Sequence, residues 1–239
     1  MLTARRTDRL AALAAEIERS GRRALPIACD VTVDGDLERA VGAARTAFGR
    51  IDVAVANAGF GVVGPVERLK LDDYHRQFET NVFGVLRTIH ATLPELKARR
   101  GRLAIIGSVS GHLATPGSSP YAMSKFAVRA LAEALGHEVA RDGISVTLVS
   151  PGFVESEIRQ VDNAGMLRAE APEPIPGWIV VSADRAARSI VRGIARRRRE
   201  VVVTPLGKVA VFFQRHAPWL VSAAIRRFGV RSRGEPARP

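Results

Sequence analysis

The chain has 239 residues, 46% of them hydrophobic, which is enough for a real core in one large domain or two small ones. Its single cysteine, Cys29, excludes a disulfide framework and any cysteine-based metal centre, and the N-terminus lacks a signal-peptide layout. The net charge of +12 invites a nucleic-acid reading, but the arginines are spread along the chain without a glycine- or aromatic-interleaved basic motif, so no nucleic-acid partner is expected.

Residues Met1 to Arg6 read as the tail of a strand. A helix is predicted from about Asp8 to Ser20, with Leu10, Leu13, Ala14 and Ile17 at helical spacing and Gly21 as its stop. Ala24 to Cys29 is a short apolar strand, Leu37 to Phe48 a helix and Asp52 to Ala56 a strand. From Asp72 to about Arg99 a long stripe, Tyr74, Phe78, Val82, Val85, Leu86, Ile89 and Leu93, predicts one helix bent near Pro94. Leu103 to Gly107 is a strand, Tyr121 to about Arg141 a helix, and Ile144 to Ser150 a strand closed by Pro151-Gly152. Phe153 to Gly177 is irregular, and a stretch of that length is usually functional, often a lid. Ser182 is the expected N-cap of a helix reaching Arg199, whose run Arg196 to Arg199 reads as a solvated helix end, and Glu200 to Thr204 is the last strand. The alternation is that of βαβ units in a parallel sheet with helices on both faces. Leu206 to Phe228 is apolar but interrupted by Lys208, Arg215, His216 and Pro218, too broken to span a bilayer. Two readings of it stay open: packing on its own domain or on a second subunit, and an interfacial segment against lipid headgroups. The division expected is therefore 1–205 as the α/β domain and 206–239 as an apolar extension with a basic tail.

The chemistry centres on Tyr121-Ala122-Met123-Ser124-Lys125, with Ser108 thirteen positions upstream. On a helix, Tyr121 and Lys125 lie one turn apart on one face. A phenol with a pKa near ~10 is a poor base at neutral pH, and a neighbouring cation favours its ionised form. Tyr121 is thus a candidate general acid/base for a carbonyl or alcohol. Ser108 ends the apolar run Leu103 to Gly107, at the carboxyl end of a strand, where open α/β sheets place their chemistry. Five scattered histidines show no metal-ligand spacing, so no metal is expected.

These residues resemble the short-chain dehydrogenase/reductase family over nearly the whole chain. Further matches are Asn57-Ala58-Gly59 after a strand, Asn81 in Asn81-Val82-Phe83-Gly84, and Pro151-Gly152 after a later strand. The resemblance implies a Rossmann-like doubly wound sheet and an oxidoreductase that moves a hydride between NADP(H) and a carbonyl or alcohol. It makes Tyr121 the proton donor/acceptor, Lys125 its activator and a ligand of the nicotinamide ribose, Ser108 the carbonyl holder, and Asn81 the support of a proton-relay water. Asp30-Val31 resembles the adenine-contacting pair, and Asn57, Ala58 and Gly59 stand where backbone approaches the cofactor. Pro151, Gly152, Val154 and Ser156 match the segment beside the nicotinamide carboxamide, with Phe153 expected toward the substrate; His112, after the Ser108 loop, either lines the substrate pocket or is an ordinary loop histidine.

In a dinucleotide fold, an acid at the end of the second strand reads the ribose 2′-hydroxyl, and an arginine accommodates a 2′-phosphate. Here that position reads Thr3-Ala4-Arg5-Arg6, so NADP(H) is expected, held by Arg5 first and Arg6 second. The family's glycine-rich Thr-Gly-x-x-x-Gly-x-Gly loop lies upstream of that strand and is not in these 239 residues. The expectation is that the first strand and this loop, which bind the pyrophosphate, lie outside the chain. A rival expectation is an inactive relative serving as a membrane-surface or protein-interaction module. A homo-oligomer in the cytoplasm, with a small and lipophilic substrate, completes the expected picture.

Overall fold

A computed structural model describes residues 1–168, 170 and 175–228. Among these residues, six parallel strands are β1 (Leu2–Ala4), β2 (Pro26–Ala28), β3 (Val53–Ala56), β4 (Arg102–Ile106), β5 (Ser145–Ser150) and β6 (Glu200–Val202). Eight α-helices among the described residues alternate with and follow them: α1 (Thr7–Arg19), α2 (Asp36–Phe48), α3 (Leu71–Phe78), α4 (Gly84–Arg99), α5 (Ser119–Glu138), α6 (Ala183–Ala195), α7 (Pro205–His216) and α8 (Pro218–Phe228). The fold is a Rossmann-like α/β arrangement with helices on both faces, as the sequence pattern requires.

Side chains of β4 alternate between the two faces, as strand geometry dictates. Leu103 and Ile105 meet α4 and α5 through Val85, Ile89, Leu96, Val128, Ala132 and Leu135. Ala104 faces the other way, into a smaller core with Val149, Ala186, Ile194 and Val201. There α6 lies so close to β6 that a Cβ on Gly193 would sit 2.2 Å from Val201 Cγ2. Only glycine allows that approach.

The sheet is divided. Strands β1 and β2 pair with each other, Leu2 opposite Pro26, while β3, β4, β5 and β6 form a separate ladder in that order. Among the described residues no strand bonds the other edge of β1 or of β3. Val53 and Val55 of β3 are 43% and 47% exposed, unusual for a parallel sheet, which is ordinarily covered on both faces. The two parts are held together by helix contacts, among them the Arg45–Glu95 ion pair at 3.2 Å and Val31 packed on Gly84.

Two expectations are corrected. The long helix is interrupted: α3 and α4 are joined by a π-helical turn, Glu79–Phe83, whose one-residue widening turns Asn81 inward. The arginine run is not merely a solvated helix end. Helix α6 stops at Ala195, and Arg197, at φ 52°, donates to the Arg100 carbonyl at 2.7 Å and the Gly143 carbonyl at 2.9 Å. It staples the loops that feed β4 and β5. Ser182 does precede α6, but its hydroxyl makes no capping bond. The expected basic tail, Arg231 to Pro239, lies outside the described residues.

Candidate active site

The carboxyl ends of β4 and β5 and the start of α5 converge on one site. Beyond β4 the chain turns at Ser108, whose Oγ accepts from Ser110 N at 3.0 Å and so caps the short turn Val109–Gly111. That turn lies against α5 without clearance: a Cβ on Gly111 would stand 2.7 Å from the Lys125 carbonyl oxygen. Pro151 holds its other side, its carbonyl accepting from Val109 N at 2.9 Å. Ser108 is thereby fixed between α5 and the end of β5.

Lys125 is almost fully buried, 5% exposed, and its Nζ donates to the Ile106 carbonyl at 2.9 Å. Burial lowers its pKa to about 8. Nζ lies 5.6 Å from the centroid of the Tyr121 ring. Burial pushes the Tyr121 phenol up, and its hydrogen-bond partner Ser108 pulls it down by less. The lysine expected to lower the phenol does not offset this burial. Here the ammonium is drawn to a backbone carbonyl, and desolvation dominates both groups.

Asn81 is fully buried and grips Phe60 from both sides. Its Oδ1 accepts from Phe60 N and its Nδ2 donates to Phe60 O, both at 3.1 Å, while Nδ2 also reaches Ser124 Oγ at 3.1 Å. Gln77, four residues earlier and equally buried, does the same work: its Oε1 accepts from Val62 N at 2.6 Å and its Nε2 donates to Phe60 O at 2.9 Å. Together they set the strip Asn57-Ala58-Gly59-Phe60-Gly61 against α5. An added Cβ on Gly59 would lie 3.1 Å from Asn81 Oδ1 and 3.7 Å from Lys125 Nζ, and one on Gly61 3.5 Å from Tyr121 Cδ2. Sequence reasoning passed over Gln77, although a polar residue on the apolar stripe one turn before Asn81 was a usable signal.

Asn163 ties the irregular stretch to Val63, two residues beyond this strip. Its Oδ1 accepts from Val63 N at 3.0 Å and its Nδ2 donates to Val63 O at 2.9 Å. Nothing in the sequence marks Asn163. In the same stretch Val154 pairs with Val181, and Phe153 is 38% exposed. Ser156 spends its hydroxyl on Ile158 N at 3.0 Å, as the cap of the turn Glu157–Gln160. A cleft of about 490 Å³ borders this segment, lined by Ser156, Glu157, Ile175 and Val180 among others; neither Tyr121, Ser108 nor Lys125 lines it.

His112 is buried, 4% exposed, with Nε2 at 2.9 Å from Glu200 Oε1 and 3.1 Å from Ser150 Oγ. His112 foremost, and then Arg215, lower the Glu200 carboxyl to about 2 against the opposing effect of burial. The pair locks the Ser108 turn to β5, β6 and α7.

At the other end, Asp30 Oδ1 accepts from Thr32 N at 2.9 Å and from Thr32 Oγ1 at 2.8 Å, closing a local turn. The Val31 carbonyl receives Arg87 at 3.4 Å. Arg6 is engaged by Glu157 at 2.9 Å, alongside Arg9 at 2.6 Å. Arg5 is freer, 67% exposed at its side chain and 3.9 Å from Asp30.

The residues match a known family. Residues 1–166 fit the short chain dehydrogenase family model. Oxidoreductase BOA17 of Botryotinia fuckeliana is 35% identical over 157 residues, covering 65% of this chain and 56% of that protein. The chain spans little more than half the length of the curated relatives it matches here. The Thermococcus sibiricus alcohol dehydrogenase complexed with 5-hydroxy-NADP superposes with a TM-score of 0.74 at 26% identity, covering 86% of this chain and 85% of that one. A Burkholderia phymatum short chain dehydrogenase/reductase in complex with NAD shares the fold with a TM-score of 0.78 at 22% identity, over 100% of this chain and 88% of that one. With Ser108, Tyr121 and Lys125 gathered at the end of a parallel sheet and a family model matching most of its length, this chain belongs to the short chain dehydrogenase family.

Proposed function

We propose that the chain is the catalytic part of an NADP(H)-dependent oxidoreductase that interconverts a carbonyl and an alcohol. The observation that carries this is Lys125. An ammonium has three donors. One goes to the Ile106 carbonyl, and the other two have no partner among the described residues, although the group is buried beside the open strip Asn57-Ala58-Gly59. A buried cation with spare donors fits the ribose hydroxyls of a nicotinamide nucleotide.

The cofactor, when bound, supplies or accepts the hydride. Asn57, Ala58 and Gly59 would line its path, and Pro151, Gly152, Val154 and Ser156 would border the carboxamide. Ser108 holds the substrate oxygen, and Tyr121 transfers the proton to or from it. The raised phenol keeps Tyr121 protonated at neutral pH, the form that donates to a nascent alkoxide. Asn81 supports this indirectly by fixing Phe60 and Ser124 around Lys125. For the 2′-phosphate, Arg5 is the better candidate because Arg6 is held by Glu157. Asp30 and Val31 border the adenine side.

The pyrophosphate end does not fit in the same way, since no glycine-rich loop stands among these residues. We infer that a further parallel strand with such a loop, bonded to the free edges of β1 and β3, completes the nucleotide site. A lipophilic substrate is supported by α7, which starts against Val109 of the Ser108 turn and presents apolar side chains outward. The test is to extend the chain by a strand and glycine-rich loop of the family type and offer it carbonyl compounds with NADPH deuterated at C4. Deuterium on the carbinol carbon is expected. Nicotinamide consumption with none, or with any panel no consumption at all, overturns the assignment.

A further inference from the structure

Helices α7 and α8 are apolar on the side that faces away from the protein. The inward side of α7 is already satisfied: Gly207 and Val211 are buried, and a Cβ on Gly207 would stand 2.8 Å from Val109 Cγ2. On the outward side Leu206, Val209, Phe212 and Phe213 are exposed, Phe212 by 57%, and α8 continues the surface with Trp219, 68% exposed, and Leu220. Phe212 stacks edge-on to Phe213 at 5.7 Å and against His216 at 4.6 Å, so the aromatic rings form one cluster. A soluble monomer rarely leaves so many large apolar groups together in water.

Charge decides what covers them. From Val201 to Phe228 there is no Asp or Glu, while Lys208, Arg215, Arg226 and Arg227 are present. From Leu206 to Pro239 seven Lys and Arg stand against one Glu, Glu235. A twofold pairing of this face with itself would bring these cations together without carboxylates to receive them. Arg215 is already held by Glu200 at 2.6 Å, and an anionic surface receives the others. The helices are of 12 and 11 residues, about 18 Å and 17 Å long at ~1.5 Å per residue, short of the ~30 Å of a hydrocarbon core. No described helix is long and apolar enough to cross a membrane.

We propose that α7 and α8 dock this protein on an anionic lipid surface, seating Leu206, Val209, Phe212, Phe213, Trp219 and Leu220 in the interface with the basic residues at headgroup level. The helices lie in the surface rather than through it. Docking depends on this face alone and stands apart from the assigned chemistry.

The test uses the full 239-residue chain and flotation with vesicles of phosphatidylcholine containing phosphatidylglycerol, against vesicles of phosphatidylcholine alone. Binding to the anionic vesicles that weakens with salt is expected. In a Trp178→Phe background, Trp219 fluorescence should shift to the blue on binding. Neutralising the pair with Arg226→Gln and Arg227→Gln should weaken binding roughly thirtyfold, at about one decade and a half for two surface cations. Phe212→Ser with Phe213→Ser should abolish flotation while circular dichroism stays unchanged. If that pair disturbs folding, Leu206→Ser with Val209→Ser probes the same face independently. Absence of flotation with anionic vesicles overturns the proposal, as does flotation indifferent to both sets of changes. Sedimentation as a dimer that Phe212→Ser and Trp219→Ser dissociate would give the face to a second copy instead, and equally overturn it.

Discussion

Lys125→Met should cost activity and raise stability, the opposite of what a structural residue does. Lys125 is 5% exposed, and burial takes its pKa from 10.5 to about 8. Holding its charge in the folded state below pH 8 therefore costs roughly 3 kcal/mol. Methionine removes the charge at similar length, and leaves the Ile106 carbonyl without its donor, a loss of about 1–3 kcal/mol. The net expected gain is about 1 kcal/mol at pH 7, or a rise of a few degrees in Tm for a chain of this size. The pH dependence carries the sign. Between pH 8 and 10.5 the unfolded chain binds the proton that the folded one has released, so wild-type stability gains with pH across that window. The advantage of the variant should be full below pH 8 and fade by about pH 10.5. The assay is urea unfolding of both proteins across pH 7 to 10.5, with turnover measured in the loop-completed form. A variant less stable by 2 kcal/mol or more at pH 7, or a difference that does not move with pH, would refute the reasoning and make Lys125 a packing residue.

Glu200→Gln should lower stability at neutral pH by about 3 kcal/mol, because a carboxyl held at about 2 by His112 and Arg215 contributes fully above pH 4.5. That contribution fades as pH falls from 4.5 toward 2, so acid unfolding curves of the variant and wild type should converge there. Asn163→Ala removes both bonds to Val63, and KM should rise roughly fivefold, equivalent to about 1 kcal/mol, with faster proteolysis between Phe153 and Gly177; an unchanged KM would mean the docked segment does not cover the substrate. Ala4→Asp with Arg5→Gln should lower the NADPH-to-NADH efficiency ratio at least about tenfold, by loss of a charge-assisted bond and repulsion of the 2′-phosphate. A wild type that already prefers NADH would make Arg5 an ordinary surface residue.

The element order was legible because burial on both faces leaves short apolar strands, and helices leave a 3.6-residue stripe. Tyr121, Lys125 and Ser108 were legible because one helical turn and one strand end bring them together. The break at Glu79–Phe83 was not, since a π-helical turn inserts a residue without disturbing the apolar stripe on either side. The surroundings of His112 were not legible because a histidine after a loop has no sequence mark for the direction of its ring. Only the fold brings Glu200 and Ser150, far along the chain, against it. Arg197 and Asn163 escaped for the same reason: their partners are backbone groups of distant loops, and backbone groups have no sequence identity.

The central claim is that Tyr121 moves the proton while Ser108 and Lys125 hold what surrounds it. The most direct measurement is the rate of NADPH-dependent carbonyl reduction by the loop-completed wild type and its Tyr121→Phe variant, together with NADPH affinity of both. The variant keeps the ring against Gly61 and the Lys125 ammonium nearby, and loses only the hydroxyl. The account predicts turnover reduced about 10²–10⁴-fold with NADPH affinity nearly unchanged. Turnover within a few-fold of wild type would contradict it.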